Sequence, residues 1–369
     1  MSKSGFSLQF ESSLFFDSQA AASLASGGLL GVAVSGGADS LALLTALLHR
    51  FGADRLRVIT VNHNMRPEAE TAGDAAFVAS YCASAGLSCT TVTLERGLVA
   101  RRARERGKGS EEAARSLRYE AFERFIRQEG LTALCLAHNR NDQLETLVMR
   151  FLQGSASGGG IAYRRGPFIR PLLALSRESI ERYLKEQGLS WRTDATNADT
   201  RYLRNAIRRQ LLPMLDRLYP GWDGAVLSGA EKAGEDDAVL EALASSFSWE
   251  KAPDGSCCTM PASVFYGQSP ALRRRLFYRA LTDLGFDKRF PYGLVRAACS
   301  SDFFSVEGAA PRGGRELTAM GITFGIKKEM LFVKKEQNRA TESGFLGILS
   351  AVGETCTLFD RIFSAEGFR

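Results

Sequence analysis

The apolar rhythm of the chain changes most sharply between residues 29 and 48. Leu29 to Val34 is a short apolar run rich in Leu and Val, the pattern of a strand buried on both faces. From Leu41 the rhythm becomes helical, with Leu41, Leu44 and Leu48 on one side and alanines between them. That spacing predicts a helix packed on the strand. Further on, Arg57 to Asn62 reads as a second strand, Glu70 to Ala85 as an amphipathic helix, and Cys89 to Leu94 as a third strand. Glu111 to Gln128 is helical, with Ala114, Leu117, Ala121, Phe122 and Phe125 on its apolar side, and Leu131 to Ala137 is a fourth strand. Alternation of strand and helix over ~150 residues predicts an α/β fold with a doubly wound parallel sheet. Right-handed crossovers then place the strand ends, and any site, on one edge.

Around this core the pattern is weaker. Residues 1–28 read as a leading helix and a loop. Gly97 to Gly109 reads as a basic loop carrying Arg101, Arg102, Arg104, Arg106 and Lys108. Residues 154–160 form a flexible glycine-serine turn. Pro167 to Leu175 and a helix from Ser176 to Gln187 complete the first domain, set at residues 1–220. Residues 221–369 form an accessory region, mostly helical, with helices over Ala225 to Phe247 and Pro270 to Leu284. It ends in a small hairpin, two short strands around a basic turn within Glu316 to Lys334. From Gln337 there is no usable pattern. A length of 369 residues fits two or three domains.

Composition narrows the function classes. The apolar fraction of 45% is ordinary for a globular protein. No run approaches the ~18 apolar residues of a membrane span, and the N-terminus lacks a secretory pattern, so a cytoplasmic protein without a membrane partner is expected. A net charge of +6 and a pI near 9.0 are compatible with a nucleic-acid partner. The seven cysteines are scattered and form no CxxC, which points to reduced thiols rather than a zinc ribbon or thioredoxin-like site.

The candidate chemistry lies in the polar turns after strands. Ser35-Gly36-Gly37-Ala38-Asp39-Ser40 is a glycine-rich strand-to-helix turn. Such a turn gathers backbone N–H groups into an anion site, and Gly36 and Gly37 allow close approach of a phosphate. Ser35 and Ser40 add hydroxyl donors. Asp39 makes sense with a bridging cation or as a helix cap. The turn is neither GxxxxGK[ST] nor GxGxxG. His63 follows the second strand, at the carboxyl edge where ligands bind in such sheets. The fourth strand runs into His138 and then Asp142-Gln143-Leu144-Glu145-Thr146. Asp142 as N-cap with Glu145 at the third position is a capping-box pattern. The same carboxylate pair at a strand end is also placed to hold Mg²⁺ on ATP phosphates.

Taken together these stretches resemble the tRNA(Ile)-lysidine synthetases, a family of the PP-loop ATP pyrophosphatases, whose fold is adenine-nucleotide alpha-hydrolase-like. The resemblance covers residues 29–220. It rests on the 35–40 turn, Val61-Asn62-His63-Asn64-Met65-Arg66, Glu111-Glu112-Ala113-Ala114-Arg115 with Arg118-Tyr119, His138 with Asp142 to Thr146, and two later segments. Those are Arg192 to Asn197 and Arg204-Asn205-Ala206-Ile207-Arg208. It implies a ligase that uses ATP to adenylate the C2 oxygen of the wobble cytidine of a tRNA(Ile) with a CAU anticodon. The amine of free L-lysine then displaces AMP and forms lysidine. It further implies ATP binding by Ser35 to Ser40 with His63, catalytic roles for Asp39, Asp142 and Glu145, and Mg²⁺ on Asp39 and Asp142. Substrate and tRNA contacts are expected at Arg101, Arg102, Arg104, Glu111, Arg115, Asp194, Asn197, Arg204, Asn205 and Arg208. Two positions depart from the family: Asn141 stands where the family has the first of paired aspartates, which weakens a metal site that needs both, and Met65 replaces Leu. The alternatives are a tRNA thiolase on the same fold, which would show paired cysteines, and a non-catalytic nucleotide- or tRNA-binding module.

Overall fold

The computed structural model describes residues 4–64, 68–107, 109–154, 159–192, 203–286, 290–300 and 316–336. The first elements are α1 (Gly5–Ser12) and α2 (Ser18–Ala25), each N-capped by a side chain, Ser4 and Asp17. Two short helices thus stand where one leading helix was expected. Strand β1 (Leu30–Ala33) leads into α3 (Ala38–Phe51), and β2 (Leu56–Asn62) into α4 (Glu68–Ser84). Then come β3 (Ser88–Thr93), α5 (Leu98–Arg106), α6 (Ser110–Glu129), β4 (Ala133–Cys135) and α7 (Arg140–Leu152). The short strands β5 (Arg164–Arg165) and β6 (Phe168–Ile169) precede α8 (Arg177–Glu186).

These strands form one sheet in the order β3-β2-β1-β4-β6-β5, parallel except for β5. The doubly wound parallel sheet expected from the alternation is present. One face carries α1, α3 and α8: Leu30 and Val32 pack with Leu41, Leu44, Phe10, Ile180 and Tyr183. The other face carries α6: Ile59 and Leu134 pack with Phe122, Phe125 and Phe168. Strands buried on both faces need apolar residues at every position, and this explains why β1 and β4 read as continuous runs rather than alternating ones. The order reverses between β1 and β4, so the crevice at their carboxyl ends is a topological switch point.

The stretch expected as a basic loop is a helix, α5. Its start and end carry Gly97 and Gly107 at φ 83° and 60°, the left-handed conformation that glycine adopts without strain. Val99 anchors it in a small core with Leu94, Ala113, Ala114 and Leu117, and Arg102 bonds Glu120 of α6 at 2.6 Å.

Helix α9 (Leu203–Ala206) continues through a wide π-type turn at Ile207–Leu211 into α10 (Leu212–Leu218). Helix α11 (Trp222–Ser245) follows. The chain divides into two compact units, Met1–Gly234 and Glu235–Arg369. The division falls inside α11 rather than at residue 220. Trp222 and Asp223 at the start of α11 bond Asp216 and Arg140, whereas Asp237 and Glu241 near its end pair with Arg275 and Arg279.

The second unit contains β7 (Glu250–Lys251), β8 (Cys257–Pro261), α12 (Ala262–Tyr266), α13 (Pro270–Asp283) and α14 (Tyr292–Cys299). It closes with β9 (Glu316–Ala319), β10 (Ile322–Lys327) and β11 (Met330–Lys335). The expected terminal hairpin is therefore a three-strand meander, and it belongs to a larger antiparallel sheet, β7-β8-β11-β10-β9. Phe324, Leu331 and Val333 form its core with Phe265, Leu276 and Phe277.

Candidate active site

The loop after β1 is shaped from inside by Ser40. Its hydroxyl accepts the Ser35 N–H at 3.1 Å and donates to the Gly37 carbonyl at 3.0 Å. The Ser40 hydroxyl thus braces the loop from inside. Gly36 has φ 83°, and a Cβ there would touch Phe77 at 3.4 Å. The Gly36 carbonyl accepts the Arg192 N–H at 3.0 Å, which ties the loop to the chain after α8. Gly37 is the N-cap of α3 and offers no capping side chain. The first-turn N–H groups of α3 therefore have no side-chain partner from the cap residue, which is the arrangement that binds anions.

The loop after β4 begins α7 with a capping box made by Asn139 and Asp142, not by Asp142 and Glu145. The Asn139 Oδ1 accepts the Asp142 N–H at 3.0 Å, and Asp142 Oδ2 accepts the Asn139 N–H at 3.0 Å. The Asn139 Nδ2 donates to Asp39 Oδ1 at 2.9 Å, so this one residue, by its side chain and its backbone N–H, links both expected metal carboxylates. The other Asp39 oxygen accepts from Arg177 at the start of α8. Burial pushes the Asp39 carboxyl above its ordinary range, Arg177 opposes the rise, and the like charge of Asp142 adds to it.

Glu145 lies one turn further into α7 with only 1% of its side chain exposed. A buried carboxylate needs compensation, and it comes from the next segment. Arg204 Nε donates to Glu145 Oε2 at 2.9 Å and Arg208 Nη2 to the same oxygen at 3.0 Å. Arg208 Nε donates to Oε1. The same two arginines reach Asp142 Oδ1, at 3.2 and 3.4 Å. Arg208 sits in the wide helical turn, a feature often found at functional sites.

Asn141 does not face this cluster as a metal ligand. Its Oδ1 accepts the Arg177 N–H at 2.9 Å and so holds the start of α8. The residue that stands where the family has an aspartate thus supports Arg177, and through it Asp39.

Two histidines flank the cluster at the ends of β2 and β4. The Nδ1 atoms of His63 and His138 are buried and have no hydrogen-bond partner among the described residues. Burial depresses both, aided for His63 by Arg118 and for His138 chiefly by Arg170 and Arg115, to about 4 and about 3. Both imidazoles are neutral at pH 7.

Of the expected site residues, Asp39, Asp142, Glu145, Arg204 and Arg208 come together with the 35–40 loop. Asn205 lies beside Arg204 in α9, half-buried. Arg101 and Arg104 are exposed on α5, and Glu111 and Arg115 on the first turns of α6, where Arg115 lies over the Tyr119 ring. Arg102 is engaged with Glu120. Asp194 and Asn197 lie outside the described residues, as does Met65. Asn139, Arg177 and Arg192 are the site residues that sequence reasoning missed. Asn139 had a visible signal, a capping residue three before an acid. Arg177 had none, since it reads as a surface charge opening an amphipathic helix.

The donor set suits a hard cation: two carboxylates from two helix starts, close enough that one raises the other. Among the described residues no group of three His, Cys, Asp or Glu forms a ready-made metal cage. A cation here would share its coordination with phosphate oxygens, the usual Mg²⁺ arrangement.

A parallel sheet with a glycine loop at its switch point, backed by paired carboxylates, defines an ATP-binding α/β domain. A PP-loop domain model of the ATP-binding type matches residues 15–215, and the chain belongs to the PP-loop family. Within it the chain is similar to a tRNA(Ile)-lysidine synthase of Treponema denticola, 39% identical over 270 residues, covering 71% of this chain and 58% of that one. A Treponema pallidum tRNA(Ile)-lysidine synthase is 40% identical over 286 residues, covering 73% and 60%. One from Thermus thermophilus is 37% identical over 256 residues, covering 69% and 48%. The chain spans three fifths or less of the length of these relatives. No described helix is long and apolar enough to cross a membrane.

Proposed function

We propose that the chain ligates L-lysine to C2 of the wobble cytidine of a tRNA(Ile) with a CAU anticodon, consuming ATP and releasing AMP and pyrophosphate. One observation carries this reading. The Asp142–Glu145 acid pair and the arginines of Arg204 to Arg208 meet at the sheet edge where the phosphate loop opens. The similar Treponema proteins are named tRNA(Ile)-lysidine synthases, which supports the reading.

In the first step cytosine O2 bonds to the α-phosphorus of ATP as the bond to pyrophosphate breaks. The N–H groups opening α3 and the Ser35 hydroxyl bind the departing pyrophosphate. Asp39 and Asp142 would hold Mg²⁺, which when bound neutralises charge on the phosphates. Arg177 and Asn139 fix the Asp39 carboxylate, and Arg204 and Arg208 fix Asp142 and Glu145. The His63 Nδ1, without a partner among the described residues, offers a neutral hydrogen bond to the nucleotide. In the second step the lysine amine bonds to C2, loses its proton, and the C2–O bond breaks to release AMP.

Arg101 and Arg104 on α5, Glu111 and Arg115 on α6, and Asn205 contact the tRNA in this reading, and Asp194 and Asn197, outside the described residues, keep the substrate role expected from the sequence. The second unit is an accessory tRNA-binding region. With ATP, lysine and tRNA as reactants, the reaction belongs in the cytoplasm.

A sulfur-transfer reading is disfavoured by Cys135, the cysteine nearest His138 in the chain. It is buried in β4, and burial pushes its thiol up, away from the reactive thiolate. The test is incubation of the full chain with ATP, labelled lysine and a tRNA(Ile) transcript. Label should enter the tRNA as AMP is released. AMP release without labelled tRNA would sink the reading.

A further inference from the structure

The second unit holds a cavity of about 240 Å³ bounded by Pro270, Arg273, Arg274, Arg296, Cys299 and Ser300. It lies between the start of α13 and the end of α14. Three guanidinium groups line it and, among the described residues, no carboxylate does.

Elsewhere on α13 the chain supplies partners for its arginines. Arg275 pairs with Asp237 and Glu241, and Arg279 with Glu241 and the Ala244 carbonyl. Arg273 is tied to the main chain: it donates to the carbonyls of Gln268 at 2.7 Å, Tyr266 at 2.6 Å and Cys299 at 3.1 Å. It therefore fixes the cavity wall and joins α13 to the end of α14. Arg274 and Arg296 are left. Among the described residues neither has an ion pair or a hydrogen bond, and Arg296 is exposed.

Two positive charges on one cavity with no acid partner among the described residues call for an anion. Guanidinium forks match phosphate geometry better than a point charge does. The volume is below the roughly 300 Å³ at which small-molecule pockets begin. It suits one anionic group of a larger molecule and not a whole nucleotide. We propose that this cavity seats a single backbone phosphate of the tRNA, gripped by Arg274 and Arg296. The inference rests on tRNA being the substrate, as proposed above.

The experiment compares the full chain with its R274Q/R296Q variant in three measurements. These are tRNA affinity against salt, ATP affinity, and thermal stabilisation by inorganic phosphate. One lost phosphate contact should reduce the slope of log K against log salt by about one and weaken tRNA binding by about tenfold at low salt. ATP affinity should not change, because Arg274 and Arg296 are not part of the nucleotide loop. An unchanged slope and affinity, in a chain whose wild type binds tRNA, overturns the site alone. Loss of phosphate stabilisation with unaltered tRNA binding identifies a small-anion site and also overturns the proposal. A wild type that binds no tRNA overturns the functional reading and this inference together, and it is seen without any variant. If the double variant melts early, R296Q alone, at an exposed position, should shift slope and affinity in the same direction.

Discussion

Asn139 donates its side-chain amide to Asp39, 100 residues earlier in the chain, at 2.9 Å. The carbonyl of the same amide accepts the N–H of Asp142 and starts α7. One side chain therefore performs a capping task and a site-building task. The cost of losing the two can be separated by experiment.

Asn139→Ala should remove about 1–2 kcal/mol of stability, the usual cost of a lost N-cap. It should also lower turnover, because Asp39 loses one of its two described partners. Asp142→Asn should cost much less stability, since an amide oxygen can still accept the Asn139 N–H, yet it should lower turnover by about a hundredfold or more. Raised Mg²⁺ should partly restore Asp142→Asn. Urea unfolding and AMP release on the same preparations check both. Equal stability losses with normal turnover per folded molecule would mean the acid is only a cap.

Asp39→Ala is expected to abolish AMP formation while the fold persists. The variant relieves a carboxyl that burial and Asp142 already disfavour, at the cost of leaving Arg177 without this partner. The melting temperature should stay within a few degrees of wild type, as for a change of about 1 kcal/mol or less. Normal AMP release would show that Asp39 is not part of the chemistry.

Stability should fall on mild acidification. In the unfolded chain His63 and His138 take up protons near pH 6.5, whereas the folded chain holds them off to about 4 and about 3. Between these values the unfolded state binds more protons. The contribution is thus full above pH 6.5 and is lost as pH falls toward about 4 for His63 and about 3 for His138. Asp39 acts in the opposite sense, since burial raises its carboxyl above 3.8 in the folded chain. Urea midpoints at pH 7 and 5.5 should differ in wild type. The difference should shrink in His138→Gln, and an unchanged difference would exclude that imidazole as the source.

Arg101→Ala with Arg104→Ala should flatten the salt dependence of tRNA affinity and leave ATP affinity alone, because both residues are exposed on α5. Arg102→Ala should behave differently. It removes the bond to Glu120 that holds α5 on α6, so it should lower the melting temperature slightly, as expected for a solvent-screened pair. Salt titrations of the double and single variants, with melting curves, distinguish the two roles. Identical slopes would remove α5 from the tRNA surface.

The strand–turn–helix units of the first unit were legible because buried parallel strands and amphipathic helices leave strong periodic signals. The phosphate loop was legible because few purposes put two glycines and two serines between a strand and a helix. Helix α5 was not. With Arg or Lys at five of the thirteen positions from Gly97 to Gly109, it has no wide apolar stripe. Val99 and the Arg102–Glu120 bond, both tertiary, keep it helical. Strands β7 and β8 escaped notice because two to five residues are too few to show alternation. Arg177 and the acid partners of Arg204 and Arg208 depend on approach across 59 to 138 residues, which no local pattern encodes.

The adjacency of β1 and β4 has a consequence for how the protein is made. Leu30 pairs with Ala133, about a hundred residues later. Asp39 meets Arg177, and Glu145 meets Arg208, later still. A ribosome releases the phosphate loop early, and β2 and α4 can pack beside it, but the switch-point crevice has no second wall until β4 emerges. It has no complete acid–arginine cluster until Arg208 is out of the exit tunnel. Competence to bind ATP should therefore appear late and abruptly during synthesis.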